Sequence, residues 1–128
     1  MVKVVLADDE EFVRYFLRTV MNSLHFSVVA EVERGDEVFS VVKKNHPDIL
    51  FLDINMPNFT GLEFLKRYSR EFPKTCIIIL TSANSFQLME ETSTEGANCF
   101  IRKDTPIELM VAKIEVDKYV QSLPNNIE

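Results

Sequence analysis

The chain has 128 residues, the size of one ordinary domain, and its 46% hydrophobic content is enough for a real core. A net charge of −6, with no cluster of Lys and Arg, argues against direct nucleic-acid binding, and no stretch is long and apolar enough to span a membrane. Met1 to Glu10 stays apolar for only a few residues before three acids, unlike a signal peptide, so the expected compartment is the cytoplasm.

Apolar runs alternate with helix-period segments along the whole chain. Residues 2–7 predict a strand, and residues 11–24 a helix with Phe12, Val13, Phe16, Leu17, Val20, Met21 and Leu24 on one stripe. Residues 27–33 are strand-like, and residues 35–45 helix-like with Val38, Val41 and Val42 inward. DILFLD at 48–53 is short and unbroken enough to be a strand buried on both faces. A helix is expected over 61–71, a strand over 75–81 (TCIIILT), a weaker helix over 85–95 and a strand over 97–102. The last helix is expected over 106–123, with Leu109, Ala112, Val116, Val120 and Leu123 on its core side. Cys76 and Cys99 lie in apolar surroundings without metal-ligand spacing and read as buried reduced thiols. His25 and His46 are isolated and read as structural or surface residues. One domain is expected over 1–123, followed by a short tail at 124–128.

Five βα units with short connections require a parallel sheet with helices on both faces and right-handed crossovers. Sites in open sheets of this kind form at the carboxyl ends of the strands. Those ends hold Asp8 and Asp9, then Asp53, then Thr81-Ser82-Ala83, then Arg102-Lys103. In a sheet ordered 2-1-3-4-5, the first, third, fourth and fifth strands are neighbours, and Asp8, Asp9, Asp53, Thr81 and Lys103 converge on one edge. Two carboxylates ~4 Å apart repel by about 4 kcal/mol at an effective dielectric near 20. Three therefore need a cation among them, either Lys103 or a divalent metal, and an all-oxygen ligand set favours Mg²⁺. A carboxylate beside Mg²⁺, a hydroxyl and an ammonium is suited to accept a phosphoryl group: Asp53 as nucleophile, Thr81 as hydrogen-bond donor, Lys103 and the metal offsetting charge. Singly, each residue has an ordinary reading, with Asp9 a helix cap, Thr81 a turn former and Lys103 a solvated charge. The joint pattern is what carries weight.

Four motifs, Leu6-Ala7-Asp8-Asp9-Glu10, Leu52-Asp53-Ile54-Asn55-Met56-Pro57 with Gly61, Leu80-Thr81-Ser82-Ala83 and Phe100-Ile101-Arg102-Lys103, give a chain that resembles a response-regulator receiver domain over essentially its full length. The resemblance supplies the strand order 2-1-3-4-5 and implies a single doubly wound (βα)5, flavodoxin-like three-layer α/β fold. It implies that Asp53 takes a phosphoryl group from the phosphohistidine of a sensor histidine kinase or phosphotransfer protein. It further implies Mg²⁺ (or Mn²⁺) bound by Asp8, Asp9, Asp53 and the backbone carbonyl of Asn55. Thr81 and Phe100 hold the switch positions, Lys103 pairs with the phosphoryl oxygens, and Asn55 and Ala83 stand where relatives tune phosphate lifetime. Such a module is not an enzyme in the usual sense. It shifts the face made by the fourth helix, fifth strand and fifth helix toward a downstream effector or a phosphorylation-dependent homodimer.

Some positions depart from the family pattern. Asp104 stands where many relatives carry Pro, which removes the usual reason for a cis peptide after Lys103. Lys103-Asp104-Thr105-Pro106 looks like the receiver subgroup often joined to a helix-turn-helix domain. Ser82 adds bulk where Ala or Gly is common, and Phe100 lacks a hydroxyl. Thr92-Ser93-Thr94 lower the helix propensity of the fourth helix, with Phe86 and Met89 near its start. On the last helix, Ile107, Met110, Val111, Ile114 and Tyr119 lie outside the assigned core stripe, which leaves loop packing and a partner surface about even. Alternatives are the receiver half of a DNA-binding regulator, an aspartyl-nucleophile phosphatase of the haloacid-dehalogenase type and a flavin-binding module. The phosphatase would need an acid where Asn55 stands, together with a cap domain. The flavin module would need a phosphate loop where Asp8-Asp9-Glu10 would repel one.

Overall fold

A computed structural model of the chain describes residues 1–82, 86–106, 109–111 and 114. Its strands are β1 (Lys3–Ala7), β2 (Ser27–Val32), β3 (Ile49–Asp53), β4 (Cys76–Thr81) and β5 (Cys99–Arg102). Between them run α1 (Glu11–Ser23), α2 (Val38–Asn45), α3 (Gly61–Tyr68) and α4 (Phe86–Thr94). A 3₁₀ turn over Gly35–Glu37 leads into α2 and another over Ser69–Glu71 follows α3, so the two helices expected over 35–45 and 61–71 each contain a tighter turn. The sheet is wholly parallel and ordered β2-β1-β3-β4-β5, the doubly wound, flavodoxin-like arrangement expected. No peptide bond among the described residues is cis.

Strands buried on both faces explain the unbroken apolar runs. Val4, Leu6, Ile49, Phe51, Cys76, Ile78 and Leu80 point to one face, where they meet Leu17, Val20 and Met21 of α1 together with Met110 and Ile114. Their alternates Val5, Ala7, Leu50, Leu52, Ile77 and Ile79 meet Val38 and Val42 of α2 and Phe64 and Leu65 of α3. Each large side chain buried this way contributes on the order of 1.5–3 kcal/mol. The strand ends are therefore held rigidly from above and below. Both cysteines are free, Cys76 buried and Cys99 half-buried.

Two of the expected stripes are corrected. Phe12 is 79% exposed, because it lies in the first turn of α1, at the sheet's carboxyl edge, while the buried set starts at Leu17. At the chain's end Leu109 is 62% exposed, whereas Met110 and Ile114 are fully buried and Val111 packs against them. The core side of that segment is thus the 110/114 face, one turn of helix apart, and Met110 and Ile114 offer no spare partner surface. Ala112, Val116, Val120, Leu123, Ile107, Tyr119 and the tail at 124–128 lie outside the described residues.

The loops are fixed by local chemistry. Thr60 and Glu63 form a capping box at the start of α3, with Thr60 Oγ1 accepting from the Glu63 N–H at 3.1 Å and Glu63 Oε1 from the Thr60 N–H at 2.7 Å. His46 closes α2 in the left-handed region, which accounts for one histidine as a structural residue. Gly35 donates its N–H to Pro57 O at 3.0 Å, and a Cβ on it would sit 1.6 Å from Phe59 O. The turn before α2 thereby clamps the loop that follows Asp53. Gly35→Ala is expected to push that loop away and cost about 1–3 kcal/mol, as overpacking does; urea unfolding checks it, and an unchanged midpoint would contradict the clamp. At the far end of α4, Ser69 Oγ donates to Glu95 O at 2.7 Å, and Lys66 pairs with Glu91 at 3.5 Å. Inside α4 the Thr92 hydroxyl donates back to Leu88 O and Met89 O and the Thr94 hydroxyl to Glu90 O, so these two poor helix formers are satisfied within the helix.

Candidate functional site

Pairing in register brings the strand ends level. Ala7 lies opposite Leu52, Asp53 opposite Leu80 and Thr81 opposite Arg102. The next residues, Asp8 and Lys103, then fall on either side of Asp53. The Lys103 ammonium lies 2.9 Å from Asp8 Oδ2, 3.2 Å from Asp53 Oδ2 and 2.6 Å from Glu10 Oε1. Only the Glu10 contact has hydrogen-bond geometry. Asp8 Oδ2, though near the ammonium, is buried without a hydrogen-bond partner. Asp8 Oδ1 accepts from the Glu10 N–H at 2.8 Å, and Asp53 Oδ1 accepts from the Asn55 N–H at 3.1 Å.

The electrostatics follow from burial. Asp8 and Asp53 have almost no exposed surface, which disfavours their charged forms. Burial pushes the Asp8 carboxyl up from its ordinary value, against the hydrogen bond from the Glu10 N–H and the nearby Lys103. Asp53 is pushed up to about 6, first by burial and then by the charge of Asp8, with the Asn55 N–H and Lys103 opposing. For Lys103, burial acts downward but is outweighed by its short polar contacts with Glu10 and then Asp8, and by the charges of Asp8 and Asp53, so its pKa rises and it stays an ammonium.

The structure therefore joins Asp8, Asp53 and Lys103 directly. Thr81 is buried, and its carbonyl accepts from the Lys103 N–H at 2.8 Å, which ties the end of β4 to the lysine. Phe100 is half-buried on β5 and lines a cavity of about 330 Å³ with Met89, Ala97 and Cys99. Asn55 is exposed and meets Asp53 through its backbone. Ala83 lies outside the described residues. Asp9 is exposed and does not cap α1; the cap position belongs to Glu10, whose side chain makes no capping bond. The carboxylates of Asp8, Asp9 and Glu10 bring oxygens within 4.8 Å of one another. That all-oxygen set, with the buried Asp8 Oδ2 that accepts no hydrogen bond although the ammonium is 2.9 Å away, fits a hard divalent cation. Asp53 is outside this trio and connects to it through Lys103.

Two residues were missed by the sequence reading. Glu10 is both the third acid of the trio and the hydrogen-bond partner of Lys103. Its signal was present as a third consecutive acid before a helix, but nothing local says that its carboxylate reaches Lys103, 93 positions away. Arg14 donates from Nη1 to Asp8 O at 2.6 Å, and from Nε to Glu31 at 3.2 Å, so it pins the acidic loop to β2. An Arg on the first helix gives no hint of that by itself.

A family model described as the response regulator receiver domain matches residues 4–115. An uncharacterized transcriptional regulatory protein of Bacillus subtilis, YhcZ, is 33% identical over 115 residues, which are 89% of this chain and 54% of that protein. The chain spans about half the length of several such curated relatives. The chemotaxis protein CheY of Listeria monocytogenes is 30% identical over 90% of this chain and 97% of its own length. Among solved structures, the BeF3-activated N-terminal receiver domain of Klebsiella pneumoniae RstA is 27% identical with a TM-score of 0.81, covering 89% of this chain and 96% of that one. No helix among the described residues is long and apolar enough to cross a membrane.

Proposed function

Because the chain belongs to the response regulator receiver domain family, we propose that it is a phosphorylation-controlled signalling module with Asp53 as its phosphoacceptor. The observation that carries this reading is the Asp53 carboxylate at the end of β3, sharing one ammonium with the buried Asp8. An Asp53 oxygen attacks the phosphorus of a partner's phosphohistidine. The P–O bond forms, the P–N bond breaks, and its electron pair leaves with the imidazole nitrogen, which takes a proton from solvent. Lys103 offsets charge on the phosphoryl oxygens, and Thr81 donates a hydrogen bond to one of them. Asp8 and Asp9, with Asp53 and the Asn55 carbonyl, would hold Mg²⁺ or Mn²⁺, which when bound supplies further positive charge at the transferring group. Asn55 and Ala83 stand at the sequence positions that tune phosphate lifetime in the family, and are assigned that role here.

The donor is a sensor histidine kinase or a phosphotransfer protein in this reading. The output passes through Phe100 and α4 to the adjacent surface of β5 and the last helix, for an effector or a second copy of the chain. That the chain spans about half of transcriptional regulators such as YhcZ favours an effector that acts on DNA. Similarity along 97% of the length of CheY equally accommodates an effector that is a separate protein. Incubation with a small acyl-phosphate donor and Mg²⁺, followed by mass spectrometry, should show one added phosphoryl group that is lost with chelator. An unmodified protein would sink the reading. Size-exclusion chromatography with and without the same donor then reports the homodimer.

A further inference from the structure

We propose that Glu10 is a positioning residue that restrains Lys103 in the unphosphorylated protein and must release it when a phosphoryl group arrives. The inference deepens the reading of Asp53 as acceptor and rests on it. Lys103 has three acidic neighbours, yet its one hydrogen bond to them goes to Glu10, at 2.6 Å. Asp8 Oδ2 and Asp53 Oδ2 receive proximity without direction. The shortest and best-directed contact of the ammonium is thus with the partner whose side chain is 58% exposed, while Asp53 Oδ2 lies farther off at 3.2 Å. Glu10 is placed for this by the backbone. It is the cap residue of α1, in extended conformation, with its N–H spent on Asp8 Oδ1 and its carboxylate making no capping bond.

A phosphoryl group on Asp53 brings oxygens that need Lys103 as a donor. The ammonium carries a single positive charge, and drawing it toward the phosphoryl oxygens stretches its 2.6 Å bond to Glu10. Glu10 is the partner that can let go at least cost, since water replaces the lysine at an exposed carboxylate but not at the buried Asp8. Glu10 and the phosphoryl group therefore compete for one cation. The strength of that bond becomes a threshold against activation.

The test uses beryllofluoride, the activating group of the RstA receiver structure, with the intact chain and saturating Mg²⁺. Glu10→Gln removes the competing charge and leaves at most a weaker, neutral acceptor, and is expected to bind beryllofluoride more tightly by roughly two- to fivefold, the range spanned by exposed ion pairs. Glu10→Asp keeps the charge but is one methylene short of Lys103, and is expected to behave like Glu10→Gln. The lysine ammonium signal in ¹H–¹⁵N spectra of the free protein should shift in both variants. Unchanged or weaker binding by Glu10→Gln overturns the proposal. So does a wild-type affinity in Glu10→Asp, which would assign the effect to charge alone. A gain matched by an equal gain in Mg²⁺ affinity without fluoride would also overturn it, by placing Glu10 on the metal. Wild-type protein that binds no beryllofluoride removes the acceptor reading itself, and Glu10's role with it.

Discussion

An Asp53→Asn protein is expected to take up no phosphoryl group and, in chelator at pH 7, to be more stable than the wild type. Both results come from one burial. Asp53 is held at about 6 against an ordinary 3.8, chiefly by burial. A folded-state pKa above the unfolded one means the native state binds the proton more tightly. Stability from this group therefore falls as pH rises from about 4 to about 6 and stays reduced above that. Full ionisation costs on the order of 3 kcal/mol. The amide is neutral and still accepts from the Asn55 N–H, but its NH₂ group has to sit near Lys103, which returns part of the gain. A rise of about 1–3 kcal/mol, or roughly 3–10 °C in the unfolding midpoint, is expected by thermal melts, with a flatter pH profile between 4 and 6. A destabilised Asp53→Asn protein would show that the pairing with Lys103 outweighs desolvation.

The second large effect is expected at Lys103. Its removal leaves Asp8 and Asp53 buried and facing each other with no cation. Breaking a buried ion pair by deleting one partner typically costs about 3–5 kcal/mol, and Lys103→Met is expected to lose that much in chelator at neutral pH. The loss should shrink as pH falls, because protonating the two acids relieves them. A divalent cation should replace much of what the ammonium did, so Mg²⁺ is expected to stabilise Lys103→Met more than the wild type. Urea unfolding with and without Mg²⁺ measures both. Equal stabilisation of the two proteins would mean that Lys103 and the metal do not serve the same carboxylates.

Much of this was legible because burial on both faces writes itself as unbroken apolar runs. DILFLD and TCIIILT gave β3 and β4 to within a residue, and the residues at or just past the ends of the runs gave Asp8, Asp53, Thr81 and Lys103. The failures share a cause, which is that periodicity reports a direction around a helix axis and nothing about what lies beside it. Phe12 belongs to the apolar stripe of α1 by angle but sits in its first turn, and is exposed. The last helix is apolar on more than one side, so hydrophobicity could not choose between Leu109 and the Met110/Ile114 face. The bond from Lys103 to Glu10 depends on where two loop residues meet after the whole sheet is assembled. No local pattern encodes it.

The two ties between α3 and α4 have a mechanical consequence. Ser69 holds Glu95 just past the end of α4, and Lys66 holds Glu91 at its middle. A nine-residue helix is about 13 Å long, and these two polar ties fall at its middle and just past its end, while Leu88 in its first half rests on the core by apolar packing. Apolar packing slides more readily than a directed bond, so a tilt of α4 would pivot near the carboxyl end. A tilt of only about 10° about that pivot sweeps the first turn through roughly 2 Å. The travel is greatest on the side where the chain arrives from Thr81 and least where it departs toward β5.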